Sequence, residues 1–103
     1  MSVLVNFSLF PTDKGSSVSA YVARIEKAIR DCGFPSQLGP MSTVVETETL
    51  AEALSVMERA YEAIKDCSRA YMSANFDIRP GHSGRLQAKV AKVEQLIRDE
   101  PTP

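Results

Sequence analysis

Ser36-Gln37-Leu38-Gly39-Pro40-Met41-Ser42-Thr43-Val44-Val45-Glu46-Thr47 is the stretch on which the fold turns. Gly39-Pro40 punctuates two short β-tolerant segments, 36–38 and 42–47, which read as two strands joined by a tight connection. A hairpin at this place matters because a helical pattern flanks it on each side. Upstream, Val18, Val22, Ile25, Ile29 and Cys32 recur at spacings of four, three, four and three, one apolar stripe along a helix. Ser16 or Ser17 is placed to cap that helix, and Gly33 with Pro35 ends it. Downstream, Thr47 or Thr49 is placed to cap a second helix with the stripe Leu50, Leu54, Met57, Tyr61 and Ile64, ending near Cys67.

Further out, strands bracket the helices. Val3, Val5, Phe7 and Leu9 alternate with Leu4, Asn6 and Ser8, the period-two pattern of a strand with one face on a core. Residues 69–79 alternate again, Met72, Ala74, Phe76 and Ile78 against Tyr71, Ser73, Asn75 and Asp77, until Pro80-Gly81 closes the strand. A last amphipathic helix carries Leu86, Val90, Val93 and Ile97, and Pro101 and Pro103 mark a frayed tail. The order βαββαβα, with right-handed crossovers placing the first two helices on one sheet face, predicts an α+β ferredoxin-like sandwich with an extra C-terminal helix. Ala28-Ile29-Arg30-Asp31-Cys32 returns thirty-five residues later as Ala63-Ile64-Lys65-Asp66-Cys67, at corresponding helix ends of the two pseudo-symmetric halves.

At 103 residues, with 44% hydrophobic and 24% charged residues, the chain is expected to form a single domain over 1–100 with a tail at 101–103. Twelve basic and thirteen acidic residues leave a formal net charge of −1, which offers no broad attraction to nucleic acid or to an anionic membrane. The run from Val3 to Phe10 is too short to cross a bilayer and lacks a preceding basic segment, so a cytoplasmic location is expected. Cys32 and Cys67 form no CxxC pair and read as free thiols.

Two helices cover one face of a four-stranded sheet, so the other face must be wetted, paired or occupied by ligand. On that face the first strand offers Leu4, Asn6, Ser8 and Phe10, and the fourth offers Tyr71, Ser73, Asn75 and Asp77. This mixture suits a pocket or a wet interface, and self-association as a dimer or tetramer is expected. Asn6 and Asn75 are placed to read ligand edges or to complete an interface, and Tyr71 and Phe10 to stack on an aromatic ring or on a second subunit. Arg24, Glu26, Lys27, Glu58 and Glu62 read as solvated helix faces.

Leu38-Gly39-Pro40-Met41-Ser42-Thr43-Val44-Val45-Glu46, following Phe10-Pro11-Thr12 and a Ser-rich helix start, resembles the thiamine-binding protein family with a ferredoxin-like fold. Lys89-Val90-Ala91-Lys92-Val93-Glu94 is similar to its last helix, so the resemblance covers nearly the whole chain. It implies tetrameric assembly through paired sheets and binding of thiamine or its hydroxymethylpyrimidine part without catalysis; separately, the sequence shows no clustered metal ligands, and no metal or cofactor is expected. Met41, Thr43 and Glu46 lie in the matching motif. A thiazolium cation calls for a carboxylate or an aromatic face and an aminopyrimidine for hydroxyl or amide partners, roles open to Glu46 and Thr43. Glu46 reads equally as a helix-capping carboxylate, and Thr43 as an ordinary β-former. The chain departs from the family at Ser42, where a glycine is often found, and at Asp77-Ile78-Arg79-Pro80-Gly81-His82. Two other functions remain open: a structural or regulatory oligomerisation module, and a cofactor-free enzyme using Asp77 or His82 as a base.

Overall fold

A computed structural model describes residues 1–100; the tail expected at 101–103 lies outside the described residues. The elements are β1 (Ser2–Pro11), α1 (Ser19–Asp31), β2 (Ser36–Leu38), β3 (Thr43–Thr47), α2 (Leu50–Glu62), β4 (Ala70–Arg79) and α3 (Arg85–Asp99). The strands form one antiparallel sheet in the order β2-β3-β1-β4, the ferredoxin-like topology. The hairpin closes where the Gly39 N–H donates to the Ser42 carbonyl at 2.8 Å. A Cβ at Gly39 would meet that same oxygen at 2.9 Å, which explains the glycine.

Alternation along β1 turns Val3, Val5, Phe7 and Leu9 into the core, where they meet Ile25 and Ile29 of α1, Val45 of β3, and Ala53, Val56 and Ala60 of α2. Ile29 and Ile64, the equivalent isoleucines of the repeated pentapeptide, are both fully buried. The stripe expected on α2 is corrected here. Leu50, Leu54 and Tyr61 are exposed, and the buried row is Ala53, Val56, Ala60 and, just past the helix, Ile64. Small side chains let the helix axis approach the sheet, which turns the larger neighbours outward.

The three helices begin in three ways. Thr49 and Glu52 build a reciprocal capping box on α2. The N-cap of α1 is Val18, with no side-chain hydrogen bond, so the caps expected from Ser16 or Ser17 are not formed. Gly84 precedes α3 at φ 63°, a left-handed conformation suited to glycine, and supplies no side chain to cap it. That helix meets the sheet on the face opposite α1 and α2, and Val90, Val93, Leu96 and Ile97 stay exposed along it. The radius of gyration, 15.8 Å, accordingly exceeds the roughly 13 Å of a compact domain of this length. Cys32 is half-buried, Cys67 is buried, and both are free.

Candidate functional site

Unequal strand lengths open a cleft. β1 pairs with β4 over its whole length, from Ser2 opposite Arg79 to Pro11 opposite Ala70, but β3 begins opposite Phe7. Ser8, Leu9 and Phe10 therefore run past the end of β3 with no strand beside them on that side. The gap is roofed by α1 and closed by the hairpin turn, giving a cleft of about 180 Å³. Phe7, Leu9, Val22, Ile25, Ile29 and Leu38 supply apolar walls.

Ser8, Ser42, Thr43 and Glu26 are the polar residues that line this space, and of these Thr43 and Glu26 are buried. Thr43 opens β3 on the same sheet face as Val45 and Thr47, and its hydroxyl donates to Oε1 of Glu26 on α1. Both residues are buried, Thr43 at 7% and Glu26 at 8% exposure. The reading of Glu26 as part of a solvated face is thus overturned. It continues the apolar row, four residues after Val22 and three before Ile29, and that spacing is the signal that placed it inside.

The other buried carboxylate sits on the opposite sheet face. Glu46 pairs across the ladder with Leu4 and points toward the root of α3. Its Oε2 accepts from the Arg85 N–H at 2.9 Å and from the Ser2 hydroxyl, and its Oε1 accepts from the Leu86 N–H at 3.0 Å. Glu46 thus does the work of the missing N-cap. The Arg85 guanidinium completes the knot, donating to Ser2 Oγ and to the Ser2 and Asp77 carbonyls, and to Asp77 Oδ2 at 2.8 Å. Burial pushes the Glu46 carboxyl upward, but the bonds from Ser2, Leu86 and Arg85, with the Arg85 charge, outweigh it and hold the group below its ordinary value. Arg85 was not singled out from sequence. A cation in the first turn opposes the helix dipole, and this misfit was its signal.

The remaining residues lie elsewhere. Asn6 and Asn75 oppose each other across β1 and β4, exposed on the face away from α1 and α2, beside Leu4, Val44, Asp77 and Lys89. Phe10 and Tyr71 are also cross-strand partners, their ring centroids 5.9 Å apart. Phe10 and Met41 reach the rim of the cleft, Met41 at 87% exposure. The structure therefore brings Thr43, Phe10 and Met41 together, sets Glu46 at the root of α3, and leaves Asn6 and Asn75 on the other sheet face. Asp77 accepts from Lys89 and Arg85, whose bonds hold its carboxyl below the usual range and make it a poor base near neutrality. His82 is exposed, its Nδ1 3.2 Å from the Pro80 carbonyl.

No helix among the described residues is long and apolar enough to cross a membrane. Compared with known proteins, residues 5–94 match the family described as thiamine-binding protein. A UPF0045 protein of Mycobacterium bovis is 40% identical over 102 residues, covering 97% of this chain and 100% of its own. Among solved structures, a domain of unknown function from Bacillus cereus superposes with a TM-score of 0.78 at 28% identity, covering 89% of each chain. A Thermotoga maritima protein proposed to act in thiamine biosynthesis or salvage gives 0.76 at 22% identity, over 90% of this chain and 99% of its own, a likeness of fold.

Proposed function

The chain belongs to the thiamine-binding protein family, and from that premise we propose that it binds thiamine or its hydroxymethylpyrimidine moiety, without catalysis, in the cleft between α1, β1 and the hairpin turn. The observation that supports this reading is an apolar slot carrying a few convergent polar groups, the usual make-up of a small-molecule site. Thr43 lies inside it, and Phe10 and Met41 stand at its mouth. About 180 Å³ is below the 300 Å³ or so typical of whole-ligand pockets, so one heteroaromatic ring enters and the rest of the ligand lies at the rim. Asn6, Asn75 and Tyr71, on the sheet face away from α1 and α2, reach such a ligand only from a neighbouring copy, and Glu46 contributes by fixing α3.

Self-association through the sheet faces belongs to the same proposal. Tyr71 at 59% exposure and the open apolar row of α3 are surfaces that a monomer leaves in water. Sedimentation velocity should show a dimer or tetramer; a monomer at micromolar concentration would remove this part. Thermal unfolding with thiamine, hydroxymethylpyrimidine and their phosphates tests the binding. Ligand at a hundredfold excess over its dissociation constant adds roughly 3 kcal/mol of apparent stability. A flat response to all of them would defeat the reading and favour an oligomerisation module.

A further inference from the structure

We propose that Glu26 is the specificity-determining acceptor of the cleft, and that its free Oε2 selects flat ring ligands presenting N–H donors from an amidinium-like, cationic edge. The proposal rests on the location of the binding site suggested above, but not on the identity of the ligand.

Three observations converge on it. Glu26 is 8% exposed yet takes part in no salt bridge among the described residues. A carboxylate so far from water is costly unless it is paired and hydrogen-bonded. Its one side-chain hydrogen bond comes from Thr43 to Oε1, and nothing among the described residues donates to Oε2. No fully buried side-chain oxygen is left without a partner, so Oε2 keeps some exposure, on a residue that lines both the cleft and the open groove beside it along α1. The chemistry missing from the site is therefore a cation with N–H donors.

The surroundings restrict the cation further. Phe7, Leu9, Val22, Ile25 and Leu38 would desolvate an ammonium on a flexible chain without compensation, but they suit the faces of a ring. Thr43 fixes Oε1 by its donated bond, which orients the carboxylate plane, and its hydroxyl oxygen keeps acceptor capacity for a second donor. Thr43 is in this sense a positioning residue. A ring amidine offers two adjacent N–H groups on a planar cation, the geometry to which a carboxylate responds most strongly.

Isothermal titration of the full chain with benzamidine, its neutral isostere benzamide and hydroxymethylpyrimidine, on wild type and Glu26→Gln, tests the assignment. Wild type should bind benzamidine and hydroxymethylpyrimidine and discriminate against benzamide. Glu26→Gln should lose roughly 10- to 100-fold affinity for both binders, the worth of a charge-assisted bond, and bring benzamidine level with benzamide. The wild-type comparison of benzamidine with benzamide stands even if the variant folds poorly. Hydroxymethylpyrimidine bound equally by wild type and variant would overturn the role of Glu26 and leave the thiamine reading intact. Benzamidine bound in a Glu26-dependent way, with no response to hydroxymethylpyrimidine or thiamine, would keep Glu26 and discard the thiamine reading. Failure of wild type to bind any probe, or equal affinity for benzamide, would overturn the proposal.

Discussion

Glu26 and Glu46 are both glutamates buried to within 8% exposure, on opposite faces of one sheet, and their surroundings could hardly differ more. Around Glu46 the donors are complete: the Ser2 hydroxyl and two N–H groups of α3, with a guanidinium close by. Around Glu26 one hydroxyl donates, and the cleft beside it is mostly apolar. A carboxylate whose acceptors are filled by its own chain holds the fold together. One whose acceptors are left open inside a cleft is available to something else. Burial alone does not separate the two cases; the count of donors does.

The contrast can be broken most directly by truncating each side chain in turn. Glu46→Ala strands the N–H groups of Arg85 and Leu86 and leaves Arg85 with less compensation, so a loss of about 3 kcal/mol is expected in urea unfolding. Acid should reduce that increment. Glu46 has a folded-state pKa lowered from 4.5, so its contribution is fully present above the unfolded value and is lost as pH falls through the folded one. The gap between wild type and Glu46→Ala should hold at neutrality and narrow below pH 4.5; a gap that widened in acid would contradict the assignment. Thr49→Ala removes a helix cap made locally, and about 1 kcal/mol is expected. The smallest effect belongs to Glu26→Ala. Losing one hydrogen bond while relieving a buried charge should leave stability within about 1 kcal/mol of wild type. A loss equal to that of Glu46→Ala would mean that Glu26 is structural as well.

Much of the architecture was legible because alternation in β1 and β4 and the Gly39-Pro40 break are local signals. The inward face of α2 was not. Hydrophobicity ranks Leu50, Leu54 and Tyr61 above Ala53 and Ala60, whereas close packing against a sheet favours the smaller residues. Thr43 was legible through its motif, but its partner was not, since Glu26 meets it only after α1 has packed across β3. The knot at α3 was hidden for the same reason. Ser2, Glu46, Asp77 and Arg85 carry no pattern along the chain and acquire one only in three dimensions.

The capping of α3 by Glu46 also sets the order in which the molecule assembles. The contacts that start this helix span 39 and 40 residues, and the brace from Arg85 to Ser2 spans 83. Gly84 offers no local cap, and an isolated helix of this length is marginal in water. Its nucleus is therefore built by the finished sheet. Contacts of such separation form late because loop closure must come first. On a growing chain, Ser2, the first residue of β1, must wait for most of the polypeptide before its brace to Arg85 forms. In the native protein, α3, exposed along most of its length, is correspondingly expected to open at a lower free energy than the sheet that seeded it.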